Sequence, residues 1–372
     1  MITHPTPPRP LLRRLGTALW FALRLVRIAF AALSPLMAAA AGAQSDGGFP
    51  LHLRDTGLYI AGSMNRVRRT HLAFAPQYPL WSDGADKRRW IHLPPGTFID
   101  ASRPDAWEFP RGTRLWKEFG HAGRAIETRF IERRADGAWH YATYVWNEDG
   151  SDALLAPANG IAALAVNGAP QGRYDVPSRT DCRACHEGAA APVLGFSALQ
   201  LSADRDPNAA HADRSPPSEL ELRRLVDRGL LRHLPPALLD TAPRIAAASP
   251  TERAALGYLH GNCSHCHNHN GTPAPVKLRL AQGVADAPAS HDRVLHSLIN
   301  APARFRFPGT PNDAVLVAPG DPQASVLALR MRSRHAQHQM PPLGTRLTDD
   351  EGLALVERWI QTDLLNRKEP QP

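Results

Sequence analysis

All four cysteines of the chain fall in two copies of one five-residue pattern, Cys182-Arg183-Ala184-Cys185-His186 and Cys263-Ser264-His265-Cys266-His267. Cys-x-x-Cys-His is the attachment signature of c-type haem, and the chemistry explains the spacing. Each thiol adds to one vinyl group on one edge of the macrocycle, and the adjacent histidine turns beneath the ring to ligate iron. On this pattern Cys182, Cys185, Cys263 and Cys266 are haem anchors, His186 and His267 are proximal iron ligands, and the cofactors are two covalently bound haem c groups. Zinc knuckles pair two Cys-x-x-Cys turns, but 81 residues separate these, and knuckles do not explain a histidine after both. A thioredoxin-like redox pair accounts for one motif at best. A disulfide within Cys-x-x-Cys would close a small, strained loop.

The attachment chemistry takes place outside the cytoplasm, and the first 43 residues read as an export signal. Arg9, Arg13, Arg14, Arg24 and Arg27 precede a 16-residue apolar run from Ile28 to Ala43, which closes on Ala41-Gly42-Ala43 before the polar Gln44-Ser45-Asp46. That is the order of a signal peptide. The run is shorter than the ~20 residues of a spanning helix, so a cleaved signal leaves no integral membrane segment, whereas an uncleaved one would be an anchor. The expected location is the periplasm. The segment also accounts for most of the formal charge: +5 of the total +8 lies there, leaving +3 on the other 329 residues. The body shows no basic stripe of the kind a nucleic-acid interface requires. With 43% hydrophobic and 21% charged residues the chain is globular, and its length suggests about two domains.

The region after residue 249 predicts an all-α unit. Ser249-Pro250-Thr251-Glu252 is a capping box with proline at the first helical position, and its helix runs through Leu256 and Leu259 straight into Cys263. Thr348-Asp349-Asp350-Glu351 is a second box, followed at helical spacing by Leu353, Val356, Ile360 and Leu364, with Trp359 beside them. These resemble the crossing terminal helices of class I cytochromes c, a family in which a small residue on the first helix meets an aromatic on the last. Ala255 or Gly257 against Trp359 would serve. The resemblance also implies a methionine as sixth iron ligand, from a loop just before the last helix. Met340, in Gln339-Met340-Pro341-Pro342-Leu343-Gly344, occupies that place, and the two prolines stiffen it. Met331, on a helix expected to start at Asp321-Pro322, and the flanking His335 and His338 are its rivals. His265 and His269 are expected to be solvated or hydrogen-bonding.

The region before the first motif is β-rich. Six tryptophans lie between Trp81 and Trp146. Ile126, Thr128 and Phe130 share one strand face. Asp136-Gly137 signals a hairpin, and Trp139, Tyr141, Thr143 and Val145 alternate on the return strand. The prediction is an antiparallel sandwich or strongly curved sheet, its aromatic rings mainly core, some of them walling a haem. Between the two parts, Ser218-Glu219-Leu220-Glu221 begins a short helix that Gly229 ends, and Pro235-Pro236 and Pro243 stiffen the connection. The expected fold is therefore α+β and multidomain: signal peptide 1–43, β-rich domain with the first haem motif 44–200, Pro-rich helical linker 201–248, and cytochrome c-like domain with the second haem motif 249–372.

Several longer stretches carry a family resemblance: Tyr78-Pro-Leu-Trp-Ser-Asp-Gly-Ala-Asp-Lys-Arg-Arg-Trp90, Trp107-Glu-Phe-Pro-Arg-Gly-Thr113, Tyr144-Val-Trp-Asn147, Pro177 to His186 and Tyr258 to His267. In these the mature chain resembles a family of exported bacterial di-haem c-type cytochromes, whose modules are in some relatives fused to quinoprotein sugar-dehydrogenase-like domains. The first domain alone is similar to β-sheet cytochromes c-prime and to the lysine-cross-linked haem cytochromes of ammonia oxidisers, through Trp107-x-Phe-Pro-x-Gly-Thr and Lys117-Glu-Phe119. Those proteins hold a five-coordinate haem on a sheet, whereas this chain continues far beyond the motif.

The function expected is periplasmic electron transfer, from a donor dehydrogenase to a downstream cytochrome or oxidase, with no catalytic residue assigned. One alternative is a haem oxidoreductase acting on peroxide or a small nitrogen oxide, with catalysis at the first haem. Another is a haem-bearing structural or sensor subunit. The distal side of the first haem separates them. His211, His233 and Met64 are the candidates to close it.

Overall fold

Alternating side chains between Leu72 and Leu155 build one six-stranded antiparallel sheet in the order β1-β2-β4-β5-β6-β7. The strands are β1 (Leu72–Ala73), β2 (Asp86–His92), β4 (Arg114–His121), β5 (Arg124–Arg133), β6 (Trp139–Trp146) and β7 (Ala153–Leu155), with β3 (Ile99–Asp100) outside this sheet. The computed structural model describes residues 46–213, 221–269 and 276–365. Residues 1–43, expected to be an export signal, and Ser218 lie outside the described residues. The chain divides into two units, Met1–Leu51 and His52–Pro372. The described part of the first carries one short 3₁₀ turn, Asp46–Gly48. The second holds both Cys-x-x-Cys-His motifs.

The β4–β5 hairpin turns through Ala122 (φ 50) and Gly123 (φ 77). Two successive left-handed residues are what a type I′ turn demands, and its twist matches that of the flanking strands. The β5–β6 connection uses Asp136-Gly137 as expected, with Gly137 at φ 92. Pairing then aligns side chains in rows. Trp90, Trp116, Phe130 and Ala142 form a row on one face. Trp116 there stacks on His71 at 4.8 Å and donates its indole N–H to Thr56 Oγ1 at 2.9 Å. On the opposite face run the rows Ile91-Leu115-Ile131-Tyr141 and Arg89-Lys117-Arg129-Thr143. The other strands, β8 (Ile161–Ala165), β9 (Arg173–Val176) and β10 (Leu231–Arg232), make two small pairs, β8–β9 and a parallel β3–β10. A sandwich of two large sheets is therefore not formed among the described residues.

Seven helices complete the described chain: α1 (Arg179–His186), α2 (Leu222–Asp227), α3 (Ala237–Asp240), α4 (Pro250–Cys263), α5 (Ala287–Leu298), α6 (Val326–Arg332) and α7 (Asp350–Arg358). A π turn, Trp359–Asp363, extends α7. The architecture is mixed α+β. Leu72, Phe109, Leu225, Leu259 and Trp359 belong to one buried apolar cluster, which runs from the sheet to the closing helix. Among the described residues no helix is long and apolar enough to cross a membrane.

Ser249 caps α4 by accepting from Glu252 N at 3.0 Å. Glu252 itself is buried and reaches Ala248 N (2.9 Å), His291 Nε2 (2.8 Å) and Trp359 Nε1 (3.2 Å), so one carboxylate joins α4, α5 and the closing helix. At the other end the cap is Asp349, not Thr348, with Asp349 accepting from Gly352 N at 3.0 Å. The shift by one residue follows from the extra donors this carboxylate collects, the Tyr258 hydroxyl at 2.9 Å and His211 Nε2 at 2.8 Å. α6 likewise starts at Val326 rather than at Asp321-Pro322.

At the crossing of α4 and α7 the structure shows a small–aromatic contact that the sequence did not suggest. The small residue is Gly352 on the last helix and the aromatic is Tyr258 on the first. A Cβ at position 352 would lie 2.2 Å from Tyr258 Cε2. Gly257 faces away from Trp359, since a Cβ there would lie 2.1 Å from Tyr78 Cε1. The β-rich part thus packs its own tyrosine into the groove that a free-standing helical domain would fill internally. Gly352→Ala is expected to destabilise the protein by about 1–3 kcal/mol through overpacking. Denaturant unfolding reads the loss, and an unchanged midpoint would show that the crossing is looser than this.

Candidate functional site

A capping box sets the first motif on a helix. Asp181 N donates to Ser178 Oγ at 3.1 Å and Ser178 N donates to Asp181 Oδ2 at 2.9 Å, so α1 begins at Arg179 and ends with His186 on its last turn. The second motif sits at the end of α4, where the helix stops at Cys263 and His267 N still donates to Cys263 O at 2.9 Å. Asn262 holds that end of α4 to the β-rich part by accepting from Trp81 N at 2.7 Å.

The two motifs are 81 residues apart in sequence and meet in space. The Cys185 and Cys266 thiols hydrogen-bond each other, and His265 hydrogen-bonds Cys185. Asn268 Nδ2 donates to Gly188 O at 2.8 Å, fastening the loop after one motif to the loop after the other. All four cysteines and both motif histidines line one cavity of about 2350 Å³. Ligand pockets usually occupy ~300–1,000 Å³, and protein interiors otherwise leave few voids larger than a water. The cavity is therefore larger than an ordinary small-ligand pocket. α1 buries none of its residues against protein, as expected of a helix whose inner face abuts that space.

The protonation states suit the same reading. His186 is pushed down to about 4 by burial, and His267 likewise to about 4, so both rings are neutral at pH 7. The Pro192 carbonyl lies 2.6 Å from His186 Nδ1. A carbonyl only accepts, so Nδ1 carries the proton and Nε2 presents a lone pair, the second-shell arrangement that orients a metal-binding imidazole. His267 Nδ1 is buried without a partner among the described residues. Burial pushes the Cys182 thiol up to about 11 and Cys263 up to about 12. Cys185 is pushed up to about 12 by its bond to Cys266 and by burial. Cys266, by contrast, is held below its usual range by its bond with Cys185, so only the other three thiols carry little thiolate at neutral pH, unlike a thioredoxin-like nucleophile. Among the described residues no group of three or more His, Cys, Asp or Glu side chains converges to hold a metal ion directly. A haem iron takes four of its ligands from the porphyrin and needs only one or two from protein, so this donor set fits haem and not a zinc knuckle.

Met340 lines the cavity with Met331. Its backbone is fixed on both sides: Met340 N donates to Arg330 O at 2.9 Å and Arg334 donates to Met340 O at 3.1 Å. Asp83 holds the far end of the loop by accepting from Arg346 N and Leu347 N, both at 3.0 Å. Met331 is buried in the apolar core on α6. His335 and His338 stack on each other at 4.4 Å and do not line the cavity. The residues considered for closing the first site lie elsewhere. Both ring nitrogens of His211 face acids, Nε2 at 2.8 Å from Asp349 and Nδ1 at 3.4 Å from Glu351. Burial works to raise the Asp349 carboxyl, yet bonds from His211, Gly352 N and Tyr258 hold it below the usual carboxylate range. His233 pairs with Asp100 at 3.0 Å, and neither it nor Met64 lines the cavity. His269 lines the cavity and is exposed.

Sequence reasoning missed the Pro192 carbonyl, visible only once the Ala-rich turn folds back, and the row Arg89-Lys117-Arg129 on the cavity side of the sheet. Alternation along each strand placed these three residues on one face, but only the register brings them side by side. Of the tryptophans, Trp81, Trp107 and Trp116 contribute to the cavity wall. No protein-family model, curated protein or solved structure matches the chain.

Proposed function

We propose that the chain is an exported di-haem c-type cytochrome that receives electrons from a dehydrogenase and passes them to a cytochrome or oxidase in the periplasm. The observation that carries this reading is the convergence of both Cys-x-x-Cys-His motifs on one cavity, with Cys185 against Cys266. Bound haem supplies a one-electron iron couple whose potential depends on axial ligand, burial and hydrogen bonding. The chain's own part is to anchor, orient and shield. The cysteines fix the attachment edges. Pro192 O orients the His186 ring. The Met340 loop, held by Arg330, Arg334 and Asp83, would offer a thioether to the cavity that both motifs line. Contact between the second cysteines of the two motifs would bring two attached haems close together, which would favour electron exchange within one chain. Reductive titration is expected to take up two electrons per chain and deliver them to an oxidised c-type cytochrome. A haem-loaded chain that takes up none would contradict the proposal.

The alternative of small-ligand chemistry at the first haem has one observation in its favour. His211 is engaged by Asp349 and Glu351, and His233 and Met64 lie off the cavity. A haem held by His186 would therefore find no second protein ligand among the three residues considered for that role. Carbon monoxide added to the reduced protein is expected to shift the Soret band of one haem per chain and leave the other unchanged. Absence of any shift, with two low-spin signals in electron paramagnetic resonance, would leave the carrier reading alone.

A further inference from the structure

Three cations stand directly side by side on the cavity face of the sheet. Arg89 on β2 pairs with Lys117 on β4, and Lys117 pairs with Arg129 on β5. All three line the cavity. Lys87, two residues before Arg89, extends the row on the same face. Like charges directly opposite in a sheet destabilise it, and a low-dielectric wall sharpens the cost. Their neutralisation within the protein is incomplete. Arg129 is paired with the buried Glu127 at 2.6 Å, and Tyr174 donates to the same carboxylate at 2.8 Å. The side chains of Arg89 and Lys117 make no hydrogen bond or ion pair among the described residues, and Lys117 Nζ instead lies 4.7 Å from the Phe119 ring centroid. Burial pushes Arg89 down to about 10, against the attraction of Asp213. Burial, Arg89, Lys87 and Arg129 push Lys117 well below its usual range. Beside this row lies the apolar row Leu115, Ile131 and Tyr141, with Tyr141 5.3 Å from the His186 ring. The wall facing the first motif is thus apolar along one row and cationic along the next.

We propose that Arg89, Lys117 and Arg129 form a clamp for a carboxylate or comparable oxyanion inside the cavity. The inference rests on the di-haem reading, because a haem anchored at Cys182 and Cys185 would bring its propionates into the same cavity. A free small oxyanion entering the cavity has the same chemistry and is the other source. An anion there changes the sign of a simple mutation. If the row faces no anion, deleting the Lys117 charge relieves repulsion and stabilises the protein. If the row holds one, the deletion removes a charge-assisted bond and destabilises it.

Lys117→Met and, as a second variant, Arg89→Gln would be made in the haem-loaded protein, with retention of the second haem's spectrum showing that the fold is intact. The expected result is a lower melting temperature and a lower midpoint potential of one haem, since a nearby cation favours the reduced iron. With a propionate in the clamp, sodium formate leaves the oxidised wild-type Soret band unmoved. With a free oxyanion site, formate shifts the band saturably, and at least tenfold more weakly in either variant. A higher melting temperature with an unmoved potential and no formate response would overturn the clamp. If the wild type carries no haem, the di-haem reading fails separately. The clamp is then decided by formate alone, which must raise the melting temperature of the wild type more than that of Arg89→Gln.

Discussion

Replacing Cys182 and Cys185 together by serine is expected to halve the haem content of the chain, and replacing all four cysteines is expected to abolish its cooperative folding. The first effect follows from attachment chemistry, since without thioethers the first site keeps only His186 to hold a haem. The second follows from the cavity. The space of about 2350 Å³ is open to solvent, so without a covalently held cofactor its apolar wall is exposed to water, against a native stability of only ~5–15 kcal/mol. The quadruple variant should therefore collapse around the space or lose fixed packing, with a broad thermal transition and rapid proteolysis. A quadruple variant with a sharp transition near that of the wild type would mean that the cavity is not a cofactor site.

Met340→Ala is expected to erase the far-red thioether-to-iron band and to lower the potential of one haem by more than ~59 mV, a tenfold shift of a one-electron equilibrium. The direction follows from the soft thioether, which favours reduced iron. The loop that carries Met340 is fixed through its backbone by Arg330 and Arg334, so the substitution should leave the fold intact and the other haem unaffected. If band and potential survive, Met331, which shares the cavity, becomes the ligand to test next.

The elements that were legible in the sequence are those set by neighbours in sequence. Ser249 and Glu252 marked the start of α4, Asp136-Gly137 the β5–β6 connection, and the alternation after Trp139 the strand itself. Features fixed by distant partners were not legible. Asp349 displaced Thr348 as a cap because Tyr258 and His211 also bond to it. Tyr78 took the groove beside Gly257 because the β-rich part packs on α4. The six motif residues were identifiable from spacing alone, but their convergence depends on Asn268 reaching Gly188 and Cys185 meeting Cys266. The cation row was hidden for the same reason, because strand register is a tertiary fact.

The measurement that bears most directly on the account is haem stoichiometry of the chain expressed with its own residues 1–43. Alkaline pyridine haemochrome analysis, referenced to protein concentration after acid-acetone extraction, is expected to give two c-type haems per polypeptide, and intact mass should show two haem additions on one chain. One haem per chain, or haem that the solvent removes, would contradict the central claim.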